Sequence, residues 1–198
     1  MHPALQQMLF SLLPHSGEAW SDFSAIFTES HLRRGDYFAL EGRVEMRFGF
    51  LLQGVMRAFY RNQEGVEYNK TFFTAHDFFG AYASLVTGKP NRIHVQALTD
   101  CTLLSASYRD LTALFPRHRS LETLARLIAE RFYIEKEQRE IELVLLQADE
   151  RYRIFRDNYP GLENDIPQYH IASYLGITPT QLSRIRARFR KPPQSLPM

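Results

Sequence analysis

From Ile166 to the C-terminus the sequence has no Asp or Glu, while Arg184, Arg186, Arg188, Arg190 and Lys191 supply five positive charges. The whole chain carries +2, so residues 1–165 carry +2 minus 5, or −3. A basic end on a mildly acidic body suits a polyanionic partner, and the guanidinium fork matches phosphate oxygens and the guanine edge.

The residues leading into that end, "QYHIASYLGITPTQLSRIRA" (168–187), have the spacing of two short helices meeting at a tight turn. Ala172 is small where the helices would cross, and Gly176, four residues on, permits a left-handed turn. Thr178, Pro179 and Gln181 are an N-cap, a first-turn proline and the far member of a capping box. Ile171, Leu175, Ile177, Leu182 and Ile185 would close a shared core. This pattern predicts a helix-turn-helix, whose outer face holds Thr180, Gln181, Ser183, Arg184, Ala187 and Arg188, with Thr178 at its tip. Arg184 suits a bidentate contact to guanine, and Gln181 or Ser183 a base or phosphate bond. Arg186, Arg188 and Lys191 suit phosphates.

A second stretch, "FFGAYASLVTGKPNRIH" (78–94), has the outline of a phosphate cradle. Gly80 opens a short helix-like run, and Gly88 leads through a proline to Arg92. Tyr82, Arg92 and His94 are the residues there that could meet an apolar or anionic ligand. Other chemistry finds little support. The lone Cys101, in the apolar run "ALTDCTLLSAS", reads as a small core residue and cannot supply a disulfide, a four-thiolate zinc site or an iron-sulfur cluster. None of the seven histidines stands in a haem-ligand context. No nucleophile elbow, P-loop, metal-ligand spacing or carboxylate pair points to an enzyme.

The elements that must position these residues follow from periodicity. Helical spacing predicts helices over 3–13 and about 18–28. From His31 to Ser107 come short apolar runs ("YFAL", "RFGFLLQ", "VMRAFYRN", "VEYNKTFF", "IHVQAL", "CTLLSAS") punctuated by glycines, with "NQEG" as a hairpin connection; these predict an antiparallel sandwich or barrel. "SYRDLTALFP" predicts a short helix stopped by Pro116. A long helix is expected from about Arg119 to Ala148. Its residues Leu124, Leu127, Arg131, Ile134, Gln138, Ile141, Leu145 and Ala148 alternate in steps of three and four, and Leu121, Ala125, Ile128 and Phe132 form a second apolar face. The pattern alone fits both a core helix and a seam between two copies. A further helix over 150–159 and a polar connection, "PGLENDIP", complete the chain. With 44% hydrophobic and 23% charged residues, no membrane-length apolar run and no basic secretory leader, the chain reads as an ordered cytoplasmic protein.

In this order the elements resemble the Crp/Fnr family of bacterial transcription regulators over essentially the full length. "GDYFALEGRVEMRFGFLLQGVMRAFY" is similar to the start of that family's roll, and "IPQYHIASYLGITPTQLSRIRARF" to the reader helices of a Bacteroidetes-type branch. The resemblance implies an α+β fold: a cyclic-nucleotide-binding-like, double-stranded β-roll (1–116), a long dimerisation helix (117–148) and a helix-turn-helix domain (149–198). Only "KPPQSLPM" follows the reader helix, so its wing is expected to be reduced or absent. The resemblance also implies a homodimer on a palindromic site in double-stranded DNA, working with RNA polymerase. Thr180 stands where the family often has a reader glutamate, whereas Ser183 and Arg184 match.

In cyclic-nucleotide-binding members the cassette carries a glutamate for the ribose and an arginine for the cyclic phosphate. Aligned on Gly80, this chain has Ala81 and Asn91 at those positions, and Arg92 falls one residue late. A one-residue offset turns a side chain to the opposite face. Cyclic AMP and cyclic GMP are therefore not expected as effectors, and the degenerate cassette comprises Gly80, Ala81, Tyr82, Asn91 and Arg92. A second reading is a ligand-binding sensor whose output is contact with another protein rather than with DNA.

Overall fold

The structure, a computed structural model, describes residues 2–12 and 17–190. Helices α1 (Pro3–Leu12) and α2 (Gly17–Ala25) precede β1 (Thr28–Leu32), β2 (Tyr37–Ala39), β3 (Arg47–Gln53), β4 (Met56–Arg61), β5 (Glu67–Phe73) and β6 (Phe78–Gly80). After α3 (Tyr82–Thr87) come β7 (His94–Ala97) and β8 (Cys101–Ser107), then α4 (Tyr108–Leu114), α5 (Arg119–Leu145), α6 (Ala148–Asn158), α7 (Leu162–Asp165), α8 (Gln168–Leu175) and α9 (Pro179–Arg190). Residue 13, assigned above to the first helix, and Lys191 with the rest of "KPPQSLPM" lie outside the described residues.

The strands form two four-stranded antiparallel sheets, ordered β1-β8-β3-β6 and β2-β7-β4-β5. The alternation of side chains divides the roll into two cores. From β3, Phe48 and Phe50 point outward beneath α1, α2, α4 and the start of α5, together with Trp20, Phe23, Leu104 and Leu121. Leu51 points inward with Phe38, Met56, Phe73, Phe79, Val95 and Leu103, filling the space between the sheets. Burial on both faces explains why β3 reads as an apolar run rather than an alternating one.

The "NQEG" connection joins β4 to β5: Asn62 Oδ1 accepts from Val66 N at 2.8 Å, and Gly65 takes φ of +81°. Two strands were not expected. The segment 28–32, of which only Thr28 was assigned above to a helix, is β1 and adds an edge to β8; β6 pairs three residues with β3.

Helix α5 packs Leu121 and Leu124 into the outer roll core, with Ile128 and Phe132 partly buried against it. Leu124, expected at the start of the seam of alternating steps, is thus covered by the roll. Beyond this point Ile134, Ile141 and Leu145 are 52%, 51% and 70% exposed. The helix ends at Leu145 rather than Ala148, because Leu146 and Gln147 turn extended and Gln147 starts α6. Gln147 and Glu150 form a reciprocal capping box, with Gln147 N donating to Glu150 Oε2 at 3.0 Å.

The C-terminal helices close a third core, in which Tyr152, Phe155, Leu162, Ile171, Leu175, Leu182 and Ile185 meet Val55, Phe72 and Leu98 of the roll. "PGLENDIP" contributes α7 to it instead of an irregular connection. Cys101 is buried, and burial pushes its thiol pKa up, consistent with a packing role. No helix among the described residues is long and apolar enough to cross a membrane.

Candidate nucleic-acid interface and effector pocket

Helix α8 stops where it does because Gly176 adopts φ of +67°, and Ile177 N donates to Ala172 O at 3.0 Å across the turn. Ala172 is buried at the crossing of α8 and α9, as its size requires. Thr178 then caps α9: Gln181 N donates to Thr178 Oγ1 at 3.2 Å, and Thr178 N donates to Gln181 Oε1 at 2.9 Å. Leu182 and Ile185 anchor the inner face. The opposite face leaves Thr178, Thr180, Gln181, Ser183, Arg184, Ala187 and Arg188 exposed.

These outward residues are not equivalent. Gln181 commits its carbonyl oxygen to the cap. Arg188 is ion-paired with Asp149 of α6. Arg186 is only 17% exposed and lies 3.8 Å from Glu163, so it faces α7 rather than open solvent. Among the described residues, Thr180, Ser183 and Arg184 at the tip have no such ties. Beside them is a shallow cleft of about 220 Å³ lined by Gln168, Pro179, Leu182, Ser183, Arg186 and Ala187. On its wall Gln168 Oε1 and Arg186 Nε are buried with no hydrogen-bond partner among the described residues, so one acceptor and one donor remain to be satisfied there.

The cassette at 80–92 is built differently from an anion site. Ala81 is buried as the residue before α3. Asn91, 4% exposed, folds its side chain back onto its own loop, accepting from Ile93 N at 3.1 Å and donating to Ile93 O. Ser84 Oγ donates to Lys89 O at 2.7 Å and accepts from Glu45 N at 3.1 Å. Arg92 is exposed, and Tyr82 is 51% exposed. His94 is buried and stacked on Phe59 at 4.8 Å between ring centroids. Gly80 pairs with Phe48 in the sheet, and a Cβ there would meet Phe48 at 3.5 Å.

Between the sheets the Phe79 ring lies so close to β3 that a Cβ on Gly49 would fall 2.2 Å from it; the roll interior at this point is closed by aromatic packing. Ala81 and Asn91 bring no charge to this loop, and the side chains of Asn91 and Ser84 are hydrogen-bonded within it and to Glu45. Among the described residues no group of three or more His, Cys, Asp or Glu is placed to hold a metal ion.

Comparison with known proteins gives this roll its kinship. Residues 29–118 match the family described as cyclic nucleotide-binding domain. Over most of the chain the fold is similar to that of solved bacterial regulators, one of them of the Crp/Fnr family. FixK2 from Bradyrhizobium japonicum superposes with a TM-score of 0.73 at 17% identity, covering 83% of this chain and 84% of that one. A Crp/Fnr-family transcriptional regulator from Eubacterium rectale gives 0.70 at 15% identity, covering 92% and 86%. The c-di-GMP responsive global regulator CLP from Xanthomonas campestris gives 0.67 at 16% identity, covering 88% and 92%. A search of curated protein sequences finds no match. In this roll Gly80, α3 and the following strand β7 are in place, with Ala81 and Asn91 between them.

Sequence reasoning missed the residues that join the roll to the C-terminal helices: Arg57, Asn69, His170 and Ser173. Arg57 and His170 lie 113 residues apart, each inside a stretch whose pattern is explained by other residues. The one available signal was an arginine in the middle of the apolar strand "VMRAFY", where a buried charge demands a partner.

Proposed function

We propose that this chain is a cytoplasmic, homodimeric transcription regulator that reads a palindromic operator in double-stranded DNA through α9 and needs no cyclic nucleotide to do so. The observation that carries the reading is the outward tip of α9, where Thr180, Ser183 and Arg184 project beside a cleft with unsatisfied polar atoms. With α8 crossing behind it and Gly176 forming the turn, α9 has the build of the second helix of a helix-turn-helix, which enters the major groove by its N-terminal end. Arg184 is the candidate for guanine, and Ser183 and Thr180 for neighbouring bases or phosphates. Arg186 and Arg188 can reach phosphates by exchanging their carboxylate partners, Glu163 and Asp149.

The exposed side chains Ile134, Ile141 and Leu145 supply the seam along which a second copy would lie, and two such readers would address half-sites about 34–36 Å apart. RNA polymerase is the expected further partner of the DNA-bound dimer. The test is a gel-shift or anisotropy titration on a duplex selected by the purified protein. Arg184→Ala should cost about 1–3 kcal/mol, roughly a 5- to 150-fold loss, and relax preference at one base position. Unchanged affinity after Arg184→Ala combined with Arg188→Ala would remove α9 from the role of reader.

A further inference from the structure

The C-terminal helices are held on the roll by a buried polar cluster centred on Arg57 of β4, which is 4% exposed. Within the roll its guanidinium donates to Gln96 Oε1 from Nε at 3.0 Å and from Nη2 at 2.7 Å, and to Asn69 Oδ1 from Nη1 at 3.1 Å. Nη2 is also 2.7 Å from Glu67 Oε2, and the group lies 3.7 Å from the centre of the Phe59 ring. The remaining direction points across to α8, where Nη1 donates to His170 Nδ1 at 3.1 Å. Because an arginine can only donate, His170 must accept there as a neutral ring with its proton on Nε2.

Three further bonds cross with it. Asn69 Nδ2 donates to His170 O at 2.8 Å. Ser173 Oγ accepts from Asn69 N at 3.0 Å and donates to Glu67 O at 2.8 Å, so α8 satisfies main-chain groups of β5 much as a neighbouring strand would. Phe72 packs against Phe155, Tyr159 and Tyr174 beside these bonds. A second set ties the same unit to the long helix and α6: Arg139 lies 4.0 Å from the centre of the Tyr174 ring and donates to Tyr174 O, and Arg151 Nε donates to Leu175 O at 3.1 Å. Carbonyls at the end of α8 are thereby bound from below, and α9 follows directly.

We propose that Arg57 and His170, with Asn69 and Ser173, are positioning residues that fix the α8–α9 unit on the outer face of the roll, so that the direction of the reader helix is set by this junction instead of by a ligand inside the roll. The inference deepens the DNA-binding reading and rests on it. Two observations meet here: the cassette carries the uncharged Ala81 and Asn91, and the junction that would have to respond to a nucleotide is already held by hydrogen bonds from Arg57, Asn69 and Ser173. Shape alone would not require a buried arginine at this contact; a directional network holds one orientation where apolar packing would allow several.

The variant to make is His170→Ala with Ser173→Ala, which removes cross-domain side-chain bonds while Arg57 keeps Gln96, Asn69 and Glu67 inside the roll. Three readouts are taken on the full chain. Affinity for the selected duplex should fall at least tenfold. Discrimination against duplexes whose half-sites are moved apart by about two base pairs should flatten, since a loosened reader tolerates several spacings. Amide hydrogen exchange should quicken at Asn69 and along α8, while the roll interior around Leu51 and Leu103 keeps its protection. A merely structural contact would lower the melting temperature and leave spacing discrimination intact, and that result overturns the proposal, as does wild-type exchange at Asn69. If the unsubstituted protein binds no duplex, the DNA-binding reading fails by itself. The exchange measurement then decides the junction alone: quickened exchange confined to Asn69 and α8 supports it, and wild-type exchange overturns it.

Discussion

Replacing Ile141 and Leu145 of α5 by alanine should dissolve the dimer while leaving the protomer intact. The two side chains are 51% and 70% exposed, so each has roughly half to two-thirds of its apolar surface left to bury against a partner. Full burial of such a side chain is worth about 1.5–3 kcal/mol, which puts their unclaimed shares near 1 and 1.5 kcal/mol. Both copies lose them, so truncation weakens association by roughly 5 kcal/mol, three to four orders of magnitude in dissociation constant. Sedimentation velocity over a dilution series would show the wild-type dimer giving way to monomer in the variant. Because the lost surface faces solvent within one protomer, thermal unfolding of the monomer should stay within about 0.5 kcal/mol of wild type. A wild-type chain that sediments as a monomer at high concentration, or a variant with an unchanged dimer constant, would refute the assignment of this stripe.

Cyclic AMP and cyclic GMP should change neither melting temperature nor DNA affinity, because Ala81 and Asn91 offer no ionic partner and Arg92 points to solvent; a saturable shift with either would show that Arg92 had taken up the phosphate. A separate expectation concerns acid. Burial first, and then the Arg57 charge, lower the pKa of His170 from 6.5 to about 4, with Glu67 opposing and Arg34 adding to the effect. The unfolded chain therefore binds a proton that the folded chain refuses. The stability this gives is full above pH 6.5 and is lost as pH falls towards 4, by up to about 3 kcal/mol. Urea unfolding at stepped pH should show a shallower decline for His170→Asn, whose Oδ1 can still accept from Arg57, and an unchanged slope would contradict the neutral, buried state of this ring.

Much of the fold could be read from local signals. The run "RFGFLLQ" gave β3, "NQEG" gave the β4–β5 hairpin, and Ala172, Gly176, Thr178 and Gln181 gave the α8–α9 geometry, because each is written in adjacent residues. The end of the long helix was harder: no glycine or proline marks it, and the break rests on the reciprocal bonds of Gln147 and Glu150. β1 was not singled out because "TESHL" becomes a strand through its pairing with β8 and carries little apolar alternation of its own. The charge run at the C-terminus was legible as a composition, but the sorting of its members was not. That Arg186 turns to Glu163 and Arg188 to Asp149 depends on how α6, α7 and α9 pack. The Arg57–His170 junction was hidden for the same reason, since its members come from β4, β5, β7 and α8.

The central claim, a regulator that reads DNA through α9 without a nucleotide effector, is tested most directly by selecting duplexes from fragmented genomic DNA with purified protein stripped of small molecules. The account predicts enrichment of a two-fold symmetric sequence, bound with strong salt dependence and unaffected by added cyclic AMP or cyclic GMP, and loss of that enrichment with Arg184→Ala combined with Arg188→Ala. Recovery of no preferred sequence, or of one only when a nucleotide is present, would contradict it.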